Sequence, residues 1–324
     1  MKVVKSKKNV PVEYQFRPVF FSLIDYRNNY FMSSDPNKIV EFYNGFENRD
    51  QLINWMTERA KGIANIHEVD GEKNIIVVIP TANFSGKYAI ECKENIFKGL
   101  HLIFVESGEI PDFYFNYAHN CNIGIRKAME YNPKWIIVSN DDMKKIDDVT
   151  ILKRELLSLD SSTFDAVFVR TENKLPKKGK IARPNFFYKF TQILRFKYFS
   201  KERKEIREKF HIFYLPVPLS TVAYKYLFTG GKTMLVFKDL IILSLNFVKN
   251  EDCIVFDETF INDSEDNDLA IRLRNRGKTT SINYSIKSIG AISLGISVNR
   301  LLRSLASEAY LNDKLEKFLN LKST

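Results

Sequence analysis

The chain has 324 residues, of which 44% are hydrophobic and 27% are charged. This composition is typical of a globular protein with a sizeable core, and it excludes a disordered chain. The formal charge is +10, from 49 basic and 39 acidic residues. Such a surplus indicates a polyanionic partner, which is a phosphorylated substrate, an anionic membrane or a nucleic acid.

Cysteine usage and hydropathy narrow the class of protein further. The three cysteines are widely spaced, which argues against a disulfide framework or a zinc knuckle and favours a reducing cytoplasm. The basic segment 1–8 precedes no apolar stretch, so we expect no secretory signal. The most apolar stretch, 235–248, contains two charged residues and is too short for a transmembrane helix. We expect a cytoplasmic protein that is either free or bound peripherally to the inner face of a membrane.

Residues 1–70 are polar and mixed, and we interpret them as an N-terminal helical extension. Asp35-Pro36 has the pattern of an N-cap followed by proline in the first turn, and Gly45 marks the end of that helix. A second helix is predicted over 48–62. Neither helix carries recognisable chemistry, so the extension is expected to pack against the main domain.

From residue 74 onward, short apolar runs alternate with helical patterns. The runs cover 75–79, 102–105, 135–138 and 166–169, and the predicted helices between them cover 85–98, 113–131 and 149–159. This alternation predicts a Rossmann-like α/β domain with a mostly parallel sheet flanked by helices. In such sheets ligands bind beyond the carboxyl ends of the strands, so the residues that follow each run are the candidates for a site.

Polar and acidic side chains follow three of these runs. They are Thr81 and Asn83, then Glu106, then the run Asn140-Asp141-Asp142. The sequence has no glycine-rich dinucleotide loop and no P-loop. Carboxylates at the rim can bind a phosphate only through a divalent cation, because like charges at close range repel each other.

With these motifs in this order, the chain resembles glycosyltransferase family 2, the inverting nucleotide-sugar transferases of the GT-A fold. The resemblance covers about residues 74–297. Its motifs are Ile79-Pro80-Thr81, Val105-Glu106-Ser107-Gly108, Asn122-Ile123-Gly124, Asn140-Asp141-Asp142, Gly230-Gly231, Phe256-Asp257-Glu258 and Ser264-Glu265-Asp266-Asn267-Asp268-Leu269. The chain departs from the family pattern at Asn140, which replaces the first acid, and at Ile292, where many relatives have a histidine.

The resemblance implies a set of site residues. It implies Asp142 as the metal ligand, Asp266 as the catalytic base and Mg²⁺ or Mn²⁺ as the cofactor. The residues that it implies for binding a UDP-, GDP- or dTDP-sugar are Pro80, Thr81, Asn83, Glu106, Asn122, Gly124, Asn140, Asp141, Gly230, Gly231 and Glu265. The implied acceptor is a glycan or a lipid-linked sugar, as in the synthesis of a polysaccharide or glycoconjugate.

The chemistry of these residue types agrees with that implication. A divalent cation stabilises a diphosphate leaving group, and the carboxylate of Asp142 is a hard oxygen ligand for it. Asp266 lies where a loop enters a helix, so the positive end of the helix dipole favours its ionised form. A carboxylate there can take the proton of an acceptor hydroxyl, and direct attack of that hydroxyl inverts the anomeric carbon.

Structural interpretations of the same residues, without a role in catalysis, remain open. Asp142 also fits a surface turn, Glu265 and Asp266 fit acids favoured in a first helical turn, and Asn122 with Gly124 fit helix packing. Two other functions also fit the chain: a sugar-1-phosphate nucleotidyltransferase, and a non-catalytic scaffold that binds a membrane or nucleic acid.

Residues 171–210 form a basic aromatic insert that the resemblance does not explain. They hold 13 basic residues and 4 glutamates, a local charge of +9, and 186–199 holds seven aromatic residues. Contact with an anionic membrane or a lipid-linked acceptor is the first interpretation. Packing into the protein's own core is the second, and nucleic acid is the least favoured. The C-terminal segment 298–324 has the pattern of an amphipathic helix, which would dock on the domain, pair with a second subunit or add to a membrane face.

Overall fold

The computed structural model describes residues 24–108, 112–170, 201–212, 240–289 and 297–320. The Gly230-Gly231 motif and the aromatic segment 186–199 lie outside these ranges. The described helices are α1 (Ile24–Phe31), α2 (Pro36–Asn44), α3 (Arg49–Glu58), α4 (Lys87–Glu91, continued by a π-turn over Cys92–Ile96), α5 (Tyr117–Met129), α6 (Val149–Leu157), α7 (Lys201–Lys209), α8 (Leu245–Asn250), α9 (Glu265–Arg276) and α10 (Val298–Asn320). The described strands are β1 (Ala64–Val69), β2 (Glu72–Thr81), β3 (Leu100–Ser107), β4 (Trp135–Ser139), β5 (Met143–Lys145), β6 (Ala166–Arg170), β7 (Leu240–Ser244) and β8 (Thr279–Ser288).

The eight strands form one mixed, strongly curled half-barrel sheet in the order β1-β3-β2-β4-β7-β6-β8-β5. Strand β2 is parallel to β3 and β4, and β6 is parallel to β8; the other four pairings are antiparallel. The prediction of an α/β domain flanked by helices is confirmed, but the prediction of a mostly parallel Rossmann-like sheet is wrong. The reason is that β7 lies between β4 and β6 and is antiparallel to both. The two edge strands, β1 and β5, are also antiparallel to their neighbours β3 and β8.

The apolar runs that predicted strands form the centre of the sheet because both of its faces are covered. Successive residues of β2 point to opposite faces. Ile75, Val77 and Ile79 join a core with α4 and α6, whereas Ile76 and Val78 join a second core with α5 and α9. Strands buried on both faces carry continuous apolar runs rather than alternating ones, which is why these strands were visible in the sequence.

A separate helical layer is built from α1, α2 and α3 together with α7 and α10. Asp35 caps α2 by accepting the backbone N–H of Asn37 at 2.9 Å, and Asn48 caps α3 by accepting that of Gln51 at 3.0 Å. Both predicted helices are therefore confirmed. The extension is not wholly helical, however, because β1 (Ala64–Val69) pairs with β3 as the edge strand of the sheet.

The C-terminal helix α10 docks on this helical layer. Leu302 and Leu305 are buried, and the Tyr43 hydroxyl donates to the Leu302 carbonyl at 2.7 Å. Helix α7 docks beside it with two of its cations buried: Arg203 and Arg207 are at most 5% exposed, and Arg207 pairs with Glu308 of α10. Part of the basic insert thus contributes to the protein's own core. No helix in the described ranges combines the length and the hydropathy needed to cross a bilayer.

Candidate active site

Three parallel strands bring their carboxyl ends to one edge of the sheet. Strand β2 ends at Thr81, which is paired in register with Glu106 on β3, and Val78 is paired with Val138 on β4. Pro80 has no N–H to donate, and it lies just beyond Val78, the last β2 residue that pairs with β4. The polar residues predicted to follow these strands therefore lie along one rim.

The hydroxyl of Thr81 joins the rim residues of β2 and β4. It donates to Oδ2 of Asp141 at 2.7 Å, and it accepts the backbone N–H of Asn83 at 3.3 Å. Burial raises the pKa of Asp141, and the hydrogen bond from Thr81 opposes that rise in part. A carboxylate with a raised pKa has lost hydration, so a cation placed beside it would be bound favourably.

The turn that carries Asp142 is held by its backbone. The carbonyl of Asp142 accepts from the N–H of Ile289 at 2.8 Å, and the carbonyl of Asp141 accepts from the thiol of Cys92 at 3.3 Å. Asp142 is only 6% exposed. This burial argues against the simpler interpretation of Asp142 as an acid in a solvated surface turn.

Tyr117, the first residue of α5, connects this turn to the acidic start of α9. Its hydroxyl donates to Oδ1 of Asn140 at 3.0 Å. Burial raises its pKa, and the charges of Cys121, Glu265 and Asp266 add to that rise. The acids that follow residue 263 therefore act on the same side chain that contacts Asn140. The turn with Asn140 and the start of α9, more than 120 residues apart along the chain, thus both influence Tyr117.

The loop that leads into α9 holds two non-glycine residues in the left-handed region. Asn262 has φ 57° and Ser264 has φ 71°. Such conformations cost about 1–3 kcal/mol each and persist where the surroundings impose them. Here the Asn262 side chain accepts the N–H of Tyr117 at 2.8 Å and donates to the carbonyl of Phe115 at 3.1 Å. The loop is therefore tied to the start of α5, and this tie positions Glu265 and Asp266.

The acids of this loop differ in their environments. Glu265 is 8% exposed, and burial together with the charge of Asp266 raises its pKa to about 8. Burial also raises the pKa of Asp263 to about 6. Asp266 is only partly buried, and its Oδ1 accepts the N–H of Asn267 at 2.7 Å. Glu265 is thus protonated at neutral pH, and Asp266 is the better placed of the two to act as a base.

Glu106 lies on the same rim but in a separate group of contacts. Its Oε1 accepts the N–H of Phe84 at 2.8 Å, and its Oε2 is 2.8 Å from Nε2 of His67, which stacks on the Phe84 ring at 4.4 Å. His67 belongs to β1, in the segment predicted to be a helical extension. No motif pointed to His67 or to Tyr117, because both reach the rim only through the tertiary fold.

Asn122 and Gly124 lie away from the rim, inside the packing of α5. Asn122 donates to the Phe256 carbonyl at 2.8 Å and to Oε1 of Glu258 at 2.9 Å. A Cβ on Gly124 would come within 2.3 Å of Cγ1 of Val78. Asn122 thus fastens α5 to the segment before α9, and Gly124 lets α5 approach the sheet closely.

The donor set at Asp141 and Asp142 suits a hard divalent cation, with the remaining positions left to ligand oxygens and water. Within the described ranges, no three His, Cys, Asp or Glu side chains come together as a metal site. Comparison with known proteins gives no match: no family model, no curated protein and no solved structure matches this chain.

Proposed function

We propose that the chain is a metal-dependent inverting glycosyltransferase that moves a sugar from a nucleotide-diphosphate sugar to an acceptor hydroxyl. The donor is a UDP-, GDP- or dTDP-sugar, and the acceptor is a glycan or a lipid-linked sugar. The observation that carries the proposal is that Tyr117 contacts both motifs: its hydroxyl donates to Asn140, and its backbone N–H donates to Asn262 in the loop that leads into α9. Tyr117 thus links the candidate phosphate-binding rim to the loop that precedes the candidate base.

Asp142 would hold Mg²⁺ or Mn²⁺, with Asn140 and Asp141 in the same turn. When bound, the cation neutralises the charge that develops on the diphosphate leaving group. Thr81 keeps the Asp141 carboxylate oriented through its 2.7 Å hydrogen bond. Diphosphate oxygens and water would supply the ligands that the protein does not, since the described residues include no cluster of three ligating side chains.

Asp266 accepts the proton of the acceptor hydroxyl as that oxygen attacks the anomeric carbon. The bond between that carbon and the diphosphate oxygen breaks as the new glycosidic bond forms, which inverts the configuration. The N-terminus of α9 favours the ionised form of Asp266. Neutral Glu265 adds no second negative charge beside it, because its pKa lies at about 8.

A thermal-shift panel of UDP-, GDP- and dTDP-sugars, each with and without Mn²⁺, tests the donor site. A ligand that binds only the folded state raises the melting temperature by mass action. We expect one nucleotide class to stabilise the chain only when Mn²⁺ is present. No stabilisation by any sugar nucleotide with Mn²⁺ would overturn the proposal, and pyrophosphate release from a nucleoside triphosphate and a sugar phosphate would identify a nucleotidyltransferase instead.

A further inference from the structure

An open cleft of about 640 Å³ lies between the helical layer and the helices on one face of the sheet. It is lined by α3, α5, α9 and α10 and by the loop that follows α8. Helix α5 runs from Tyr117 at the candidate active site to Arg126 at the cleft, about 14 Å along the helix axis at 1.5 Å per residue. The cleft therefore lies apart from the rim residues of the candidate active site.

The acidic side chains of the cleft are paired within the protein. Asp257 and Asp268 both bind the ammonium of Lys314, at 2.8 Å and 2.7 Å. Glu258 is 2.8 Å from Nδ1 of His119 and accepts from the amide of Asn122. These carboxylates already have partners, so they do not require a cationic ligand.

Two of the four cations that line the cleft are also occupied. Lys314 holds the two aspartates, and Arg272 binds Glu251, Asp268 and the Val255 carbonyl. The other two are Lys61 and Arg126. In the described part of the chain, neither forms an ion pair, and the only hydrogen bond from Lys61 goes to the carbonyl of Arg59 at 3.0 Å.

Lys61 is in an environment that disfavours its charge. Burial lowers its pKa, the neighbouring charge of Arg59 lowers it further, and the charges of Glu258 and Asp257 compensate only in part. A ligand anion beside the ammonium would remove this penalty. Arg126 is exposed at the same cleft and offers a planar fork of donors that suits an oxyanion.

We propose that this cleft binds a small polar phosphate-bearing molecule, whose phosphate group is held by Lys61 and Arg126. A phosphate dianion matches these two cations, which form no ion pair within the described ranges. The rest of the cleft is lined mainly by polar side chains, among them Thr57 and Thr259, with Ile254 as an apolar exception. A volume of about 640 Å³ exceeds what inorganic phosphate fills, so the cleft has room for a larger phosphate-bearing molecule such as a sugar phosphate.

Isothermal titration of the full chain with glucose 6-phosphate, inorganic phosphate and glucose tests this site. It is performed without divalent metal and in an Asp142→Ala background, so that failure of the donor site does not affect the result. We expect glucose 6-phosphate to bind more tightly than phosphate, and glucose not to bind. Lys61→Gln/Arg126→Gln should weaken phosphate binding by about tenfold or more, because two charge-assisted contacts are lost.

The double variant Lys98→Gln/Arg154→Gln is the matched control, since it removes two exposed cations that lie outside the cleft. Its affinity for phosphate should equal that of the Asp142→Ala protein without further substitutions. Arg126→Gln alone changes one exposed side chain and keeps the test decisive if the Lys61 variant does not fold. Equal losses in the cleft and control variants, or no binding of either phosphate compound to the parent, would overturn the proposal.

Discussion

The hydroxyl of Tyr117 donates to Oδ1 of Asn140 across 3.0 Å, from the first turn of α5 to the turn that follows β4. The same phenol lies in the field of Glu265 and Asp266. The backbone N–H of Tyr117 donates to Oδ1 of Asn262 in the loop that leads into α9, so Tyr117 links the candidate donor rim to the segment that precedes the candidate base. A link of this kind matters to a transferase because both substrates must be held in one geometry as the bond forms.

Tyr117→Phe keeps the ring and removes the hydroxyl that donates to Asn140. We expect kcat of transfer to fall about tenfold, since misplacement of reacting groups slows the chemical step. The affinity for the sugar nucleotide should change little. Steady-state kinetics and donor titration measure the two effects, with the exposed Tyr26→Phe as the control. An unchanged kcat in Tyr117→Phe would show that the link is structural only.

Asp266→Asn removes the proposed base while keeping its size. Donor binding should persist, and kcat should fall by about 10²–10⁴, the usual contribution of a general base. Asp263→Asn, in the same loop, is the matched control and should lose much less activity. Single-turnover transfer to an acceptor glycan measures both variants. Parent-like transfer by Asp266→Asn would rule out Asp266 as the base.

Asp142→Ala tests the metal ligand. We expect the increase in melting temperature caused by the sugar nucleotide to lose its dependence on Mn²⁺, because the cation no longer has its protein carboxylate. Asp70→Ala removes an exposed carboxylate from the turn between β1 and β2, which is the opposite end of β2, and should leave that dependence intact. Mn²⁺-dependent stabilisation that survives in Asp142→Ala would exclude the ligand role.

The central strands could be predicted from the sequence because burial on both faces produces apolar runs. The first helices could be predicted from caps such as Asp35 and Asn48, because a capping side chain acts within three residues of the helix start. The directions of the strands relative to one another could not be predicted from the sequence. The run that forms β7 has all five residues buried, yet a buried run is equally apolar whether it lies parallel or antiparallel to its neighbours.

The candidate site was predictable only where its residues directly follow a strand or begin a helix. Thr81, Asp141 and Asp266 occupy such places, so local pattern was enough to name them as candidates. Tyr117 and His67 were missed because their contacts join segments that are distant along the chain. Asn122 and Gly124 follow a motif of the resembled family, but here their side-chain environment is that of helix packing.

Gly124→Ala should destabilise the fold by about 1–3 kcal/mol, the usual cost of overpacking a core. The new Cβ would lie 2.3 Å from Cγ1 of Val78 and 2.9 Å from Cγ2 of Val105, and both valines are in buried strands that cannot move away. The better helix propensity of alanine recovers about 1 kcal/mol at most. Urea unfolding measures the free energy of each variant.

Val78→Ala provides the internal control for this clash. In that background, Gly124→Ala should cost less, because the nearest methyl group has been removed. A double-mutant cycle should therefore give a coupling energy of about 1 kcal/mol or more between the two positions. Simple additivity would show that the cost of Gly124→Ala has another cause.

Glu265→Gln should make the protein more stable at neutral and alkaline pH. The pKa of Glu265 is about 8 in the folded protein against an ordinary value of 4.5, because burial and the charge of Asp266 disfavour its ionised form. Above pH 4.5 the unfolded chain ionises this group while the folded chain keeps it protonated. The parent therefore loses stability as the pH rises from about 4.5 to about 8, at up to about 1.4 kcal/mol per unit.

Glutamine has no such titration, so the gain in stability from Glu265→Gln should be small at pH 5, grow to a few kcal/mol by pH 8 and then level off. Urea unfolding of both proteins from pH 5 to pH 9 measures this difference. Glu41→Gln, at an exposed position on α2, should show none of it. A gain in stability that stays constant across this pH range would mean that Glu265 is already ionised in the folded protein at pH 5. Glu265 would then compete with Asp266 for the role of base.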